Sequence, residues 1–172
     1  MSQRKRIIYI IIIAAALTAV LCFIWGNSLL DGGASRKLSL AVTKLIRPIY
    51  ELFTGKPATD GALHALVRKA AHFLEFAAIA TVSSLLLWRL CGEHPVQNLI
   101  YVLFGSLFIA VTDEYIQSFS PGRSPSVRDI VIDFAGAVTG ALTVFVCILI
   151  IRKIKKTKIK NKELQHETCL RM

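Results

Sequence analysis

Apolar residues are concentrated in four long stretches of the chain. These stretches cover residues 7–25, 70–88, 99–119 and 130–151. Each has about the length, roughly 17–25 residues, that an α-helix needs to cross the hydrocarbon core of a bilayer. The first stretch follows basic residues, as the apolar part of a signal peptide does, but it is too long for one, so we expect a retained helix. The pattern predicts an all-α, integral membrane four-helix bundle.

The segment between the first two stretches has a helical pattern of its own. From Ser35 to Phe53, apolar residues recur on one face and basic residues lie on the other. The apolar positions are Leu38, Val42, Leu45, Ile49 and Leu52. We predict an amphipathic helical segment that Pro48 kinks or divides into two. Two placements are open: flat on the outer leaflet of the membrane, or packed against the bundle.

Composition supports the prediction of a membrane protein, and the distribution of charge predicts how the chain is oriented in the membrane. The chain has 172 residues, of which 54% are hydrophobic, compared with roughly 45–50% in soluble domains. Basic residues flank the outermost stretches, at residues 4–6 and repeatedly after residue 151. Because basic residues favour the cytoplasmic side, we predict an N-in, C-in topology. Residues 1–151 would form the four-helix domain, residues 152–172 a basic cytoplasmic tail, and residues 120–129 an outer loop.

The net charge of +10 therefore has its explanation in membrane topology. In a soluble protein such a charge would suggest nucleic acid as a partner. No aromatic residue is interleaved with the lysines of the tail, so a stacking platform for single-stranded nucleic acid has no support. We expect membrane lipids, and not nucleic acid, to be the partners of the basic residues.

Polar residues of the second, third and fourth stretches share one end of the predicted bundle. The second stretch begins at the outer surface, the third ends there and the fourth begins there again. At 100° per residue, one narrow stripe of the second helix holds His64, Arg68, His72 and Glu75. We predict a polar pocket that opens outward. Its residues are Lys69, His72, Glu75, Asp113, Glu114, Gln117, Arg123, Asp129 and Asp133.

These charges have two interpretations. A charged side chain at the centre of a membrane helix costs about 2.5–3.5 kcal/mol, so several on one chain need partners. They form either an ion-paired network that only locks the helices together, or a site, which is the interpretation we favour. Gly136 and Gly140 continue the face of Asp133 as a GxxxG pattern, which predicts close helix packing.

Two motifs carry a resemblance to a known family. The first is Lys69-x-x-His72-x-x-Glu75-Phe76. The second is a long block made of Asp113-Glu114-x-x-Gln117, Pro121-Gly122-Arg123, Asp129, Asp133, Gly136 and Gly140. In these residues the chain resembles the VanZ family of bacterial membrane proteins, and the resemblance covers about residues 7–151. The serine-bearing segment after the family's first helix is matched more loosely, by Trp25-Gly26-Asn27-Ser28, Ser35 and Ser39.

The resemblance implies a multi-pass protein of the bacterial plasma membrane. It also implies an envelope protein that lowers susceptibility to teicoplanin-like glycopeptides. In a binding or accessory role, the pocket would hold a lipid headgroup or a lipid-linked wall precursor. Arg123 and Lys69 would then pair with phosphate, while Gln117 would hydrogen-bond to a sugar or peptide.

An enzymatic role is the principal alternative, and the sequence leaves open whether the protein is an enzyme. A membrane-embedded enzyme acting on a lipid-linked substrate would use His72 or Glu75 as general base. Its acids, or its ligands for a divalent cation such as Mg²⁺ or Mn²⁺, would be Asp113, Glu114, Asp129 and Asp133. A proton-linked transporter is a third hypothesis. The charges lie at one end of the bundle and not across its middle, which argues against this hypothesis.

Overall fold

The structure, a computed structural model, describes residues 3–55, 57 and 59–170. Throughout these residues the regular structure is helical, in five helices. They are α1 (Gln3–Leu29), α2 (Gly32–Thr54), α3 (Asp60–Leu90), α4 (Pro95–Gln117) and α5 (Val127–Leu170). By length and composition, α1, α3, α4 and α5 are able to cross a membrane. The prediction of an all-helical chain with four long apolar helices is confirmed.

The helices extend beyond most of the apolar stretches that predicted them. α3 begins at Asp60, about ten residues before the predicted start, and α5 continues through the basic tail to Leu170. Hydropathy marks only the part of a helix that suits the hydrocarbon core, whereas main-chain hydrogen bonds continue wherever the residues are good helix formers, as lysine is. α4 is the exception at its far end, because it stops at Gln117, two residues early.

The amphipathic segment is one helix, α2, and Pro48 lies inside it without ending it. A proline removes one main-chain hydrogen bond, and the helix continues beyond Pro48 without it. Thr43 is the buried residue of α2, which packs against α3. Most of the apolar face predicted from the sequence is exposed, and Leu52 is 80% exposed, whereas Leu38 and Val42 border a space between α2 and α3. α2 therefore meets the protein mainly with its polar face.

The backbones of α3 and α5 approach each other closely at two glycines. A Cβ atom on Gly136 would overlap the carbonyl oxygen of Phe73, and one on Gly140 would overlap that of Ala77. The two glycines thus allow the backbones to touch, as small residues do between membrane helices. The apolar core around this crossing consists of Ile24, Phe76, Ile79, Ala80, Val102, Ala110, Ala137 and Ala141. This approach sets the beginning of α5 beside the first half of α3.

The α1–α2 and α4–α5 connections lie at the same end of the bundle and are bonded to each other. The Gly32 amide donates to the Pro121 carbonyl at 2.9 Å, and the Ser120 hydroxyl donates to the Ser28 carbonyl at 2.8 Å. Gly122 turns the second connection with a φ of +74°, a left-handed conformation that favours glycine. These bonds gather the ends of four helices around one space.

Candidate functional site

A polar cavity of about 410 Å³ lies at this end of the bundle, between α2, α3, the end of α4 and the α4–α5 connection. We call it the arginine cavity. Its ionisable lining residues are Arg36, His64, Arg68, His72, Arg123 and Asp129. Three guanidinium groups thus face one carboxylate, which gives the cavity a positive potential suited to an anion.

A second cavity, of about 210 Å³, adjoins the first between α1, α2 and α3. We call it the apolar cavity, after its lining by Phe23, Leu30, Leu38, Val42, Val67 and Ala71. Arg68, His72 and Arg123 line both cavities. A cationic cavity therefore shares a wall with a cavity that is apolar on the side of Phe23, Leu38 and Val67 and polar on the side of Glu75 and Arg123.

Behind that wall lies a cluster of three ionisable residues, His72, Asp113 and Asp133, which we call the buried triad. One nitrogen or oxygen atom from each of the three lies within 4.8 Å of the others. The His72 Nδ1 and Asp133 Oδ1 atoms are 3.3 Å apart, but without the alignment of a hydrogen bond. Asp113 and Asp133 are both 0% exposed. The three helices α3, α4 and α5 each contribute one member.

The two carboxylates of the triad differ in their hydrogen bonding. The Ser28 hydroxyl donates to Asp113 Oδ1, and the Gln117 amide donates to Asp113 Oδ2 at 2.7 Å. Ser28 belongs to α1, so the first of these bonds also joins α1 to α4. Neither oxygen of Asp133 has a hydrogen-bond partner among the described residues.

Glu75 and Arg123 flank the triad on the side of α1. The Asn27 side-chain amide donates to Glu75 Oε1 at 3.4 Å, and the Arg123 guanidinium donates to the Asn27 carbonyl at 3.0 Å. Burial lowers the pKa of Arg123 from its ordinary value, while the nearby Asp113 carboxylate acts in the opposite direction. Arginine nevertheless stays cationic at physiological pH. Its charge is therefore held in place beside the apolar cavity.

Glu114 and Asp129 have separate surroundings. Glu114 Oε2 accepts a hydrogen bond from the Ser126 main-chain amide at 2.7 Å, directly before α5 begins. Glu114 thereby fixes the entry of the chain into α5. Asp129 lies 3.8 Å from the guanidinium of Arg68, whose side chain is 52% exposed. Such an exposed pair contributes little to stability, and it borders the arginine cavity.

A comparison with protein families now identifies the chain's relatives. The VanZ/LLP1 family profile matches residues 7–151. The chain belongs to the VanZ-like family. The match includes both motifs found in the sequence, and with the four apolar helices it indicates a multi-pass membrane protein. No functionally curated protein and no solved structure matches the chain.

The structure distributes the predicted pocket residues of this VanZ-like protein over several surroundings. His72, Gln117, Arg123 and Asp129 line the arginine cavity, Glu75 lines the apolar cavity, Asp113 and Asp133 lie in the buried triad, and Glu114 holds the α4–α5 connection. Lys69 is half-buried, and within the described part of the chain its neighbour Arg68 lines the cavities instead.

The predicted pocket omits several residues of the site, among them His64 and Arg68, which the sequence placed only on the polar stripe of the second helix. Ser28 and Asn27 bond to the carboxylates of Asp113 and Glu75. Their signal was the serine-bearing segment after the first helix, which gave only a loose match to the family. Arg36 gave no signal, because its position in the cavity depends on which face α2 turns to the bundle.

Proposed function

We propose that this VanZ-like protein binds a lipid-linked, phosphate-bearing component of bacterial cell-wall synthesis at the outer side of the plasma membrane. The observation that carries the proposal is the contact between the arginine cavity and the apolar cavity. A lipid phosphate joins an anion to a hydrocarbon chain, so its binding needs one compartment of each kind.

The arginine cavity supplies the groups that recognise phosphate. Arg36, Arg68 and Arg123 reach it from α2, α3 and the α4–α5 connection. A guanidinium presents parallel N–H donors that match two phosphate oxygens, and such charge-assisted bonds are stronger than neutral ones. The carbonyl oxygen of Gln117 adds an acceptor for a hydroxyl or amide of an attached sugar or peptide.

The apolar cavity and α2 provide the path for the chain of the lipid. Leu38 and Val42 of α2 face Val67 of α3 across this cavity. Further along the same apolar face of α2 the side chains of Leu52 and Phe53 are exposed, as expected for a helix whose apolar face lies in a membrane interface. A lipid would thus enter from the membrane beside α2 with its headgroup toward the arginine cavity.

The proposed orientation is N-in and C-in. At the end of the bundle opposite the cavities, the Arg6 guanidinium donates to the Arg89 carbonyl at 3.0 Å, so basic residues of α1 and α3 gather there. The lysine-rich part of α5 also follows the membrane span at this end. The positive-inside tendency assigns this end to the cytoplasm and the cavities to the outside.

Binding is tested with purified protein in lipid nanodiscs and a polyprenyl phosphate as ligand. Arg36→Ala and Arg123→Ala are each expected to weaken binding about tenfold or more, because a hydrogen bond to a charged group contributes about 1.5–3 kcal/mol. Arg128→Ala is the matched control, since Arg128 is exposed and outside both cavities. Equal affinity for the polyprenyl phosphate and for the free polyprenol would contradict the proposal, as would equal affinity for inorganic phosphate alone.

A cellular test addresses glycopeptide susceptibility. A protein that holds a wall precursor at the outer face would alter its availability to teicoplanin. Expression of the wild-type protein is then expected to raise the teicoplanin concentration needed to inhibit growth. Asp113→Asn and Arg123→Ala should reduce this protection at equal membrane abundance. Unchanged protection by both variants would count against the pocket.

An enzymatic function is the second candidate, and one observation favours it. His72 lines both cavities and also belongs to the buried triad, so a titratable group stands between a bound phosphate and two carboxylates. His72 or Glu75 would act as general base. Incubation of the protein with a labelled lipid-linked precursor and divalent cations, followed by analysis for a product, separates turnover from binding.

A further inference from the structure

The buried triad concentrates negative charge without a matching hydrogen-bond network. Asp133 is 0% exposed, and neither of its carboxylate oxygens has a hydrogen-bond partner among the described residues. A buried charge is costly unless it is paired and hydrogen-bonded, or coordinates a metal. The His72 Nδ1 atom, which faces Asp133 at 3.3 Å, also lacks a hydrogen bond within the described part of the chain. The two groups thus lie within ion-pair distance of each other without a hydrogen bond between them.

We propose that His72, Asp113 and Asp133 bind one divalent transition-metal cation, of the kind represented by Mn²⁺ or Zn²⁺. Ligands at about 2.0–2.2 Å from one ion stand roughly 3 Å apart. The 3.3 Å between His72 Nδ1 and Asp133 Oδ1 already has this spacing, and an Asp113 oxygen lies within 4.8 Å of both atoms.

The donor atoms determine the class of cation. Two carboxylates suit hard cations, but the imidazole nitrogen favours manganese, iron or zinc over magnesium and calcium, which prefer oxygen throughout. A divalent cation also neutralises both carboxylates together, whereas a proton on His72 neutralises only one of them. A divalent cation therefore balances the charge of the two carboxylates more completely than a protonated His72 does.

The surroundings of Asp113 are those of a supported metal ligand. Ser28 and Gln117 donate to its two oxygens and so fix the orientation of the carboxylate. Each oxygen keeps a second lone pair for a metal ion. Hydrogen bonds of this kind, made to the ligand and not to the ion, orient ligands in many metal sites.

The cation site adjoins the arginine cavity, because His72 lines that cavity. A phosphate oxygen bound there would take an open coordination position of the ion. This bridging role rests on the proposed function, but the binding of the cation by the three side chains does not. The two parts are therefore open to separate measurement.

The test is a titration of the purified, chelator-treated protein with Mn²⁺, without lipid phosphate, followed by the electron paramagnetic resonance signal of the free ion. We expect one saturable Mn²⁺ site per chain. Zn²⁺ should displace the bound Mn²⁺, whereas Mg²⁺ at the same concentration should not. Asp133→Asn and His72→Ala should each weaken binding at least tenfold. Glu93→Gln is the matched control, since Glu93 is an exposed acidic residue in the α3–α4 turn, and it should bind as the wild type does.

Thermal unfolding of the wild-type protein gives a second readout that needs no variant. A ligand that binds only the folded state raises the unfolding temperature with its concentration, so Mn²⁺ should produce a saturable rise. Absence of a saturable site, or full binding by Asp133→Asn, would overturn the proposal. Polyprenyl phosphate binding by a protein that binds no Mn²⁺ would overturn the cation site alone, whereas Mn²⁺ binding without polyprenyl phosphate binding would overturn only the proposed function.

Discussion

The two ends of the helix bundle bury polar side chains in different ways. At the end formed by the α3–α4 turn, Asn98 is 7% exposed, and its side-chain amide donates to the Cys91 carbonyl at 2.7 Å. The same nitrogen lies 3.5 Å from the Leu87 carbonyl. Leu87 lies in the last turn of α3 and its carbonyl also accepts from the Cys91 amide, whereas Cys91 is the cap residue of the helix, beyond which the helical hydrogen bonds end. At the other end, Asp133 is buried without a hydrogen bond in the described structure.

This difference separates a structural polar group from a functional one. Asn98 closes a helix end, and its hydrogen bonds give it a sufficient reason to be buried. Asp133 is buried within ion-pair distance of His72, at 3.3 Å, but has no hydrogen bond among the described residues. Departures from local consistency of this sort are expected at functional sites, where the fold tolerates strain for the sake of binding.

The largest effect is expected between the two ends, at the crossing that holds both in place. Gly136→Leu would drive a side chain into the main chain at Phe73, which cannot move without separating α3 from α5. Overpacking typically costs about 1–3 kcal/mol, and we expect the upper part of that range or loss of the folded protein. Size-exclusion chromatography and thermal unfolding in detergent measure the result.

Gly105→Ala is the control for this prediction. Gly105 lies within α4, and a Cβ atom there meets nothing within 4 Å. We expect unchanged stability or a gain of about 0.4–1 kcal/mol, because alanine reduces the freedom of the unfolded chain. Equal damage by the two substitutions would show that the close approach of α3 and α5 is not what holds the bundle together.

A smaller effect is expected at Asn98. Asn98→Ala removes the hydrogen bond to the Cys91 carbonyl and should lower the free energy of unfolding by about 1 kcal/mol. Lipid and cation binding should stay as in the wild type, since this residue is far along α4 from the cavities. A stable Asn98→Ala protein with impaired binding would contradict the structural role given to this end.

The smallest effect on stability is expected at Asp133. In metal-free buffer, Asp133→Asn should leave the free energy of unfolding unchanged or raise it, because it removes a buried carboxylate charge that has no hydrogen bond among the described residues. Breaking a buried ion pair costs about 3–5 kcal/mol. A loss of that size in a denaturation experiment would make Asp133 an ion-pair partner that locks α5 to His72, and the contrast between the two ends would disappear.

Parts of the site were predictable because they follow from local pattern. The helical period places His72 and Glu75 on one stripe near the middle of α3, and the chain order places Asp113 and Asp133 at the same end of the bundle. Glu114 shows the limit of such reasoning. Its neighbour Asp113 turns into the bundle, while Glu114 turns to the Ser126 amide, and one residue along a helix is a rotation of about 100°.

The sequence by itself determined the four apolar helices, the amphipathic character of α2 and the end at which the ionisable residues gather. Hydropathy and helical periodicity are properties of consecutive residues, so they need no knowledge of neighbouring helices. Tertiary structure alone decided that Asp133, and not Asp129, stands with His72 and Asp113, and that Arg68 lines the cavities. Those pairings depend on how each helix is rotated about its axis, which the contact of Gly136 with the backbone at Phe73 sets for α3 and α5.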